Sequence, residues 1–289
     1  KEFAGNDLIV EVPMTDEEKA AYYPHIVDTV TIDGTQWGVP IAFSVGVASV
    51  VATLLLPGVD NATIVQRMLT SLNTFPLLAV VFFVFAGTLM ARGGVSIRLV
   101  RMAEVLVGWL AGGLAQIVCV ASMFFGGVTG SAVAEVSSIG SMMIPAMVKD
   151  GYSRRFATAI VLTAATMGPI IPPSIGMIIF AHVAGSVSIA ALFVAGIIPG
   201  VLIGASLMVA SFVHGKLYHR KVLPQLPLRE KVRRVLDGFA GVFTMVIILG
   251  GIISGVFTAT EAGAAACVYA MVLTIGFYKE IKWRDLPEI

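Results

Sequence analysis

The 289-residue chain is poor in charge: Asp, Glu, Lys and Arg make up 13% of it, whereas a soluble domain carries about 25%. No charged side chain occurs between Glu104 and Glu135. Hydrophobic residues make up 57% of the chain, and apolar runs recur at about 20 residues, the length of a membrane-spanning helix. These runs do not alternate with polar residues, which argues against a β-barrel. The sequence therefore predicts an all-α membrane protein that crosses the bilayer several times.

Cysteine and catalytic motifs are also scarce. The two cysteines, Cys119 and Cys267, stand alone in apolar runs, which favours small buried side chains over a metal or redox pair. The chain has no CxxC, HExxH, P-loop, GxGxxG or GxSxG motif, and no basic–aromatic face suited to nucleic acid. We expect no enzyme, no transition-metal site, no organic cofactor and no nucleic-acid partner.

Acidic residues are concentrated at one end. Residues 1–37 contain eight acids and two bases, whereas the remainder contains ten acids and seventeen bases. This segment lacks the basic start and apolar core of a signal peptide. We predict a polar, cytoplasmic segment over 1–37. Its origin stays open between the tail of a fused small subunit, a divergent terminus and an assembly error.

The rest of the chain divides into apolar segments joined by polar connectors. The most basic connector is 214–237, which the preference of Lys and Arg for the inner side of the membrane assigns to the cytoplasm. The apolar segments cover residues 38–59, 75–91, 113–134, 136–148, 156–181, 188–213, 238–257 and 259–278.

The stretch GGVTGSAVAE, residues 126–135, interrupts a long apolar region. The basic clusters on either side of 113–148 fall on the same side of the membrane only if this region enters and returns as a hairpin. The segment 136–148 is also too short to span a bilayer. Irregular backbone at membrane depth must be buried in protein or line a cavity. We therefore predict a re-entrant hairpin with its tip at 126–135.

A second interruption, GPIIPPS at residues 168–174, divides the apolar run 156–181. Prolines remove backbone donors and clash with the preceding turn, so the helix should unwind here. The two breaks together offer hydroxyls of Thr129, Ser131 and Ser174, plus backbone carbonyls. Such neutral oxygen ligands suit Na⁺ better than Zn²⁺ or Ca²⁺. The alternative reading of a single break is a kink without function.

At these motifs the chain resembles a known family. GGVTGSAVAEVSSIGSMMIPAM, TAATMGPIIPPSIGMIIF, FPLLAVVFFVFAGTLMARGG and VIILGGIISGVFTATEAGAAACVYA are similar to the large membrane subunit of tripartite ATP-independent periplasmic (TRAP) transporters, over about residues 38–289. The resemblance implies an elevator-type secondary transporter with two inverted repeats. It also implies Na⁺ coupling, a small membrane subunit, a periplasmic substrate-binding protein and organic-acid substrates such as C4-dicarboxylates or sialic acids. The location implied is the bacterial inner membrane.

The resemblance also directs the choice of site residues. The expected Na⁺ ligands lie at the hairpin tip and in the unwound stretch: Gly130, Ser131, Gly168, Ile171, Pro172 and Ser174. Thr129, Glu135 and Thr166 are candidates for the substrate cavity. Glu135 stands where Asp is more usual, and its alternative role is to favour the start of the returning helix.

The predicted organisation has four parts: the acidic segment 1–37; scaffold helices and a connecting arm over 38–112; the hairpin and broken helix over 113–187; and further helices with the basic loop over 188–289. A second repeat is not recognised, so we expect a fragment, the N-terminal half of a transporter. Two alternatives stay open: a Na⁺/carboxylate symporter without a binding protein, and a membrane scaffold subunit that does not transport.

Three further features carry structural expectations. The stripe Gly196, Gly200 and Gly204 predicts close helix packing, or a surface along which two domains slide. Glu261 should stabilise the first turn of a helix, or contact a partner. His214 is expected to be solvated.

Overall fold

The computed structural model describes residues 75–185, 187–218 and 226–288, together with positions 31, 32, 35, 36, 51 and 66. The chain divides into two compact units, Lys1–Leu72 and Asn73–Ile289. In the first unit, strand β1 (Thr31–Ile32) pairs antiparallel with β2 (Thr35–Gln36). The predicted apolar segment 38–59 and most of the acidic segment lie outside the described residues.

Every regular element described in the second unit is a helix. Its elements are α1 (Phe75–Arg92), α2 (Val95–Val107), α3 (Gly113–Thr129), α4 (Ala132–Glu135), a π-helical segment (Val136–Gly140), α5 (Ser141–Lys149), α6 (Arg154–Ala165), α7 (Ile175–Ala184), α8 (Ile189–Tyr218), α9 (Leu228–Ile253), α10 (Ala259–Met271), a second π-helical segment (Val272–Phe277) and a 3₁₀ helix (Trp283–Glu288). This confirms the all-α class for the part of the unit that the structure describes.

Within the residues that the structure describes, three helices are long and apolar enough to cross a membrane: α8, α9, and α10 with its π-helical extension. They confirm the predicted apolar segments 188–213, 238–257 and 259–278. A fourth span is possible if α1 and α2, which meet at a bend of 70°, are counted together. The chain therefore has the elements of a multi-pass membrane protein.

Helix α2 lies within the region 38–112, where scaffold helices and a connecting arm were predicted, but no apolar segment was predicted over its own residues. Its buried side chains recur three or four residues apart, as on one face of an amphipathic helix: Val95, Leu99, Met102, Ala103 and Val107. The arginines of this region occupy other faces, and their charge concealed the helical period. Gly94, at a φ of 72°, allows the turn between α1 and α2.

The basic loop predicted at 214–237 is much shorter in the structure. Helix α8 continues to Tyr218, and α9 begins at Leu228, so most of the segment is helical. The ion pairs Glu230–Arg234 and Arg233–Asp237 are both four residues apart on α9. Because such pairs stabilise a helix, the charge density that suggested a loop is compatible with a helical end.

Contrary to the prediction, the His214 side chain is not solvated. Its ring is half-buried on α8 and stacks on Phe156 of α6, with ring centroids 3.7 Å apart and an interplanar angle of 7°. Tyr218, one turn further along α8, lies 5.0 Å away. The histidine therefore joins two helices, and the aromatic partner on α6 is 58 positions distant in sequence.

Glycines on α8 confirm the prediction of close packing. A Cβ atom on Gly196 would lie 2.5 Å from the carbonyl oxygen of Ile170. On Gly200 it would lie 2.4 Å from Ile171 Cγ1, and on Gly204 2.5 Å from the sulfur of Met123. The stripe therefore holds α8 against both the α6–α7 connection and α3. Both cysteines are buried thiols, again as predicted.

Glu261 takes part in a capping box at the start of α10. The Thr258 hydroxyl accepts a hydrogen bond from the Glu261 backbone N–H at 3.3 Å, and the Glu261 carboxylate accepts one from the Thr258 N–H at 2.8 Å. This confirms the first-turn role. An alternative role in contacting a partner stays a prediction.

Replacing Thr258 with alanine is expected to destabilise the protein by about 1 kcal/mol, because a first-turn N–H loses its acceptor. For a unit of this size the melting temperature in detergent should fall by about 2–4 °C. The control is Thr163→Ala, which removes an exposed threonine whose hydroxyl bonds only to its own helix. Equal melting temperatures for the two variants would contradict the capping role.

Candidate ion-binding site

The hairpin turns at Gly130 and Ser131. Helix α3 ends at Thr129, Gly130 has a left-handed φ of 62°, and Ser131 is extended at a φ of −134° before α4 begins. Beyond the turn, the carboxylate of Glu135 lies beside Gly126 of α3. The chain has therefore reversed direction, and the tip predicted at residues 126–135 is reduced to two residues.

Local sequence explains this turn. A left-handed backbone costs a residue with a Cβ atom about 1–2 kcal/mol, so glycine is favoured at position 130. The Ser131 hydroxyl then caps the returning helix by accepting a hydrogen bond from the Ala134 N–H at 3.4 Å. Gly130 ends one helix and Ser131 begins the next.

The second break is present where the prolines predicted it. Helix α6 ends at Ala165 and α7 begins at Ile175. The buried hydroxyl of Ser174 caps α7: it accepts a hydrogen bond from the Met177 N–H at 3.3 Å and donates one to the Pro169 carbonyl at 2.5 Å. This confirms the broken helix, and it shows that the Ser174 hydroxyl already serves the turn.

The hairpin tip and the helix break are in direct contact. A Cβ atom on Gly130 would lie 2.5 Å from the Pro173 carbonyl oxygen and 3.3 Å from the Cα of Ser174. One turn back along α3, a Cβ atom on Gly126 would lie 2.9 Å from the Cα of Gly168. Two glycines of the hairpin therefore let its backbone approach the backbone of the break.

Backbone oxygens are available at this crossing. No described residue donates a hydrogen bond to the carbonyls of four residues of the break: Gly168, Ile171, Pro172 and Pro173. The half-buried Ser131 lies at the facing tip. Hydroxyl and carbonyl oxygens, without a carboxylate cage, form a donor set suited to a monovalent hard cation. Within the described residues, no group of three or more His, Cys, Asp or Glu side chains could hold a metal ion.

Glu135 faces the same crossing from the returning arm. Its side chain is fully buried, and neither carboxylate oxygen accepts a hydrogen bond from a described residue. The Ser122 hydroxyl is its polar neighbour but stays outside hydrogen-bond geometry. A Cβ atom on Gly168 would lie 3.1 Å from Glu135 Oε2. Glu135 thus lies in the first turn of α4, as expected if it favours the start of the returning helix. Its carboxylate also borders the candidate site.

The remaining candidates are placed differently. Ile171 packs its side chain between Gly127 and Gly200, so its backbone carbonyl is its available polar group. Thr129 is buried and donates to the Phe125 carbonyl at 3.2 Å. Thr166 is exposed at the end of α6 and donates to its own helix. The structure brings the hairpin residues and the break together, and the Thr166 hydroxyl is directed elsewhere.

Two residues of the crossing, Ser122 and Gly126, were not among the predicted site residues. Ser122 and Gly126 lie one helical turn apart on α3, the spacing of residues on one helix face. That spacing was the available signal for a polar and small face on this arm. Pro173 belongs to the unwound stretch from which carbonyl ligands were expected, and its carbonyl oxygen is the atom nearest to a Cβ built on Gly130.

Membrane-length helices, a reversing hairpin and a broken helix that meets its tip are the elements of a multi-pass membrane protein. Residues 32–289 match the family model described as the DctM component of tripartite ATP-independent periplasmic transporters. The chain belongs to this family, which confirms the resemblance seen in its motifs. Members of the family are inner-membrane proteins, and the apolar helices described above fit that location.

Individual relatives extend the comparison. The chain is 40% identical to the uncharacterized protein YgiK of Salmonella typhimurium over 254 residues, which cover 87% of this chain and 58% of that protein. It is 38% identical to the C4-dicarboxylate TRAP transporter large permease protein DctM of Vibrio cholerae, covering 84% and 54%. It is 36% identical to the sialic acid TRAP transporter large permease protein SiaM of the same species, covering 87% and 59%. The chain spans slightly more than half the length of these relatives.

Proposed function

We propose that this chain forms part of the large membrane subunit of a Na⁺-coupled transporter that takes up organic acids. In this proposal it carries one of two inverted repeats of an elevator-type fold. It works with a small membrane subunit and a periplasmic substrate-binding protein. Family membership supports the transport role, and the substrates named for the relatives, C4-dicarboxylate and sialic acid, support an organic-acid class.

The observation that carries the proposal is the contact between Gly130 and the carbonyl of Pro173. It brings the hairpin tip, where Ser131 lies, against a break whose carbonyls of Gly168, Ile171, Pro172 and Pro173 accept no hydrogen bond from the described residues. Helix ends at a break offer such groups, and transporters use them near the bilayer midplane to hold coupling ions. Ser131 and the carbonyls of Gly168 and Ile171 would hold the ion, and the chain's own glycines allow them to approach.

Ion binding would also fix the two elements to one another. The tip and the break belong to segments separated by about 40 positions, and oxygens from both would surround the same cation. With the ion bound, the two elements would move as one body, carrying the site across the membrane as an elevator mechanism requires. Without the ion, the carbonyls at the crossing would be left without a partner.

Replacing Ser131 with alanine in the full-length transporter is expected to raise the Na⁺ concentration for half-maximal uptake by about tenfold, the equivalent of one charge-assisted oxygen contact. Uptake of labelled organic acid into proteoliposomes, measured over a Na⁺ series with the binding protein present, tests this. The maximal rate at saturating Na⁺ should change less than the half-saturation value.

The matched control is Ser153→Ala. Ser153 also caps a helix, accepting from the Phe156 N–H at 3.3 Å, but it lies in an exposed turn. It therefore reports the loss of a serine cap without loss of an ion ligand. If the two variants show the same Na⁺ dependence as the unmodified protein, Ser131 is not a ligand and the proposed site is wrong.

A further inference from the structure

A cleft of about 770 Å³ lies between α2 and the start of α9, away from the hairpin and the break. Seven charged side chains line it, five of them arginines and two of them acids. Its volume is in the range of small-molecule sites, about 300–1,000 Å³. The arginines are Arg98, Arg101, Arg229, Arg233 and Arg234.

One wall of the cleft is fixed by Arg98. Its guanidinium donates to the Gly94 carbonyl at 2.9 Å and to the Glu280 carboxylate at 3.0 Å. It also lies 3.8 Å from the ring centroid of Tyr278, whose hydroxyl donates to the Asp237 carbonyl at 2.6 Å. This guanidinium is held on several sides and serves as a rigid border.

The opposite wall is fixed by Arg234. This side chain is paired with Glu104 on α2 and with Glu230 on α9, the latter at 2.5 Å. Two carboxylates therefore serve one guanidinium. The pairing joins α2 to α9.

The other three arginines of the cleft have no strong ion pair with a described residue. Arg101 and Arg229 are exposed, and neither forms an ion pair or hydrogen bond with any residue that the structure describes. Arg233 is 3.9 Å from Asp237, and its side chain is 84% exposed, so this pair contributes little. Guanidinium groups match phosphate oxygens bidentately, and these three arginines line the same cleft.

The two helices that carry the arginines also expose apolar side chains. These are Leu106 on α2, Trp109 just after it, and Leu228, Val232 and Leu236 on α9. A phosphate with apolar chains attached would satisfy both surfaces. The Lys and Arg distribution assigns this side of the chain to the cytoplasmic leaflet, where anionic lipids are concentrated.

We propose that the α2–α9 cleft is a binding site for a phosphoryl anion, with the headgroup of an anionic phospholipid as its occupant. Arg101, Arg229 and Arg233 bind the phosphoryl oxygens, while Arg98 and Arg234 shape the cleft through their fixed pairs. The exposed apolar side chains of the same two helices contact the acyl chains. This site is independent of the Na⁺ site and of the transported substrate.

The test uses the full-length protein in nanodiscs that contain phosphatidylglycerol in phosphatidylcholine, with bound lipid counted by native mass spectrometry after detergent exchange. The double variant R101Q/R229Q should retain phosphatidylglycerol about tenfold less well than the unmodified protein, because charge-assisted contacts are lost. The control K149Q/R154Q removes two exposed positive charges on the same membrane side, outside the cleft, and should retain the lipid normally.

A competition arm identifies the source of the phosphoryl group. If inorganic phosphate at millimolar concentration does not displace phosphatidylglycerol, the occupant is the lipid headgroup; if phosphate alone binds and displaces it, a free phosphate is the occupant of the same site. Equal retention by R101Q/R229Q and the unmodified protein overturns the proposal. So does an equal loss in K149Q/R154Q, which would show a diffuse charge effect. Melting temperatures of both variants confirm that each is folded.

Discussion

Replacing Gly130 with alanine is expected to reduce Na⁺-dependent uptake at least about tenfold and to destabilise the protein. The backbone at this position is left-handed, with φ at 62°, which costs an alanine about 1–2 kcal/mol. The new Cβ atom would also lie 2.5 Å from the Pro173 carbonyl oxygen. That oxygen belongs to backbone held by prolines, so relieving the contact should cost about 1–3 kcal/mol more. The relief would also move the hairpin tip away from the break.

Gly185→Ala separates these two effects. Gly185 is also left-handed, at a φ of 68°, but a Cβ atom there would meet nothing within 4 Å. It should therefore lose stability through backbone strain alone and keep its Na⁺ dependence. Uptake assays and melting temperatures of both variants make the comparison. If Gly130→Ala behaves like Gly185→Ala in both measurements, the contact between the tip and the break does not contribute to Na⁺-dependent uptake.

Replacing Gly126 with valine is the second change of large expected effect. Its Cβ atom would lie 2.9 Å from the Cα and 3.2 Å from the nitrogen of Gly168, and 3.4 Å from Glu135 Oε2. Two of these neighbours are backbone atoms that cannot swing aside. We expect a loss of about 1–3 kcal/mol from overpacking and a higher Na⁺ concentration for half-maximal uptake, because α3 is pushed away from the break.

Gly250→Val is the matched control for this substitution. Gly250 also lies inside a helix, and a Cβ atom there would meet nothing within 4 Å. The change of glycine to a β-branched residue is therefore the same in both variants, and only the crowding differs. A Gly126→Val protein that melts and transports like Gly250→Val would contradict the proposed fit between the two backbones.

The hairpin could be predicted from the sequence because two independent signals agreed: the sidedness of the basic clusters and the shortness of 136–148. The exact turning residue could not. Three glycines occur at positions 126, 127 and 130, and each could adopt a left-handed backbone. The structure assigns that conformation to Gly130, whereas Gly126 serves the approach to Gly168.

The parts of the site that sequence reasoning missed depend on contacts between distant segments. The pairing of Gly126 with Gly168 joins positions 42 apart, and nothing local to either glycine indicates the other. The carboxylate of Glu135 faces Gly126 and Gly168 because of the position of this residue on the returning helix. Its charge alone indicated only the start of a helix. The break at 168–174 could be predicted from the sequence, because the effect of proline on a helix is local. The Na⁺ ligands and the elevator movement stay predictions.

The glycine stripe on α8 has a mechanical consequence. Its three notches, at Gly196, Gly200 and Gly204, recur every four residues and are filled by atoms of the break and of α3. With a rise of about 1.5 Å per residue, successive notches are about 6 Å apart along the helix axis. For α8 to slide continuously over these elements, the atoms that face all three glycines would have to move away at the same time. In an elevator movement we therefore expect α8 to travel together with the break and α3, or to shift along them by a whole notch of about 6 Å.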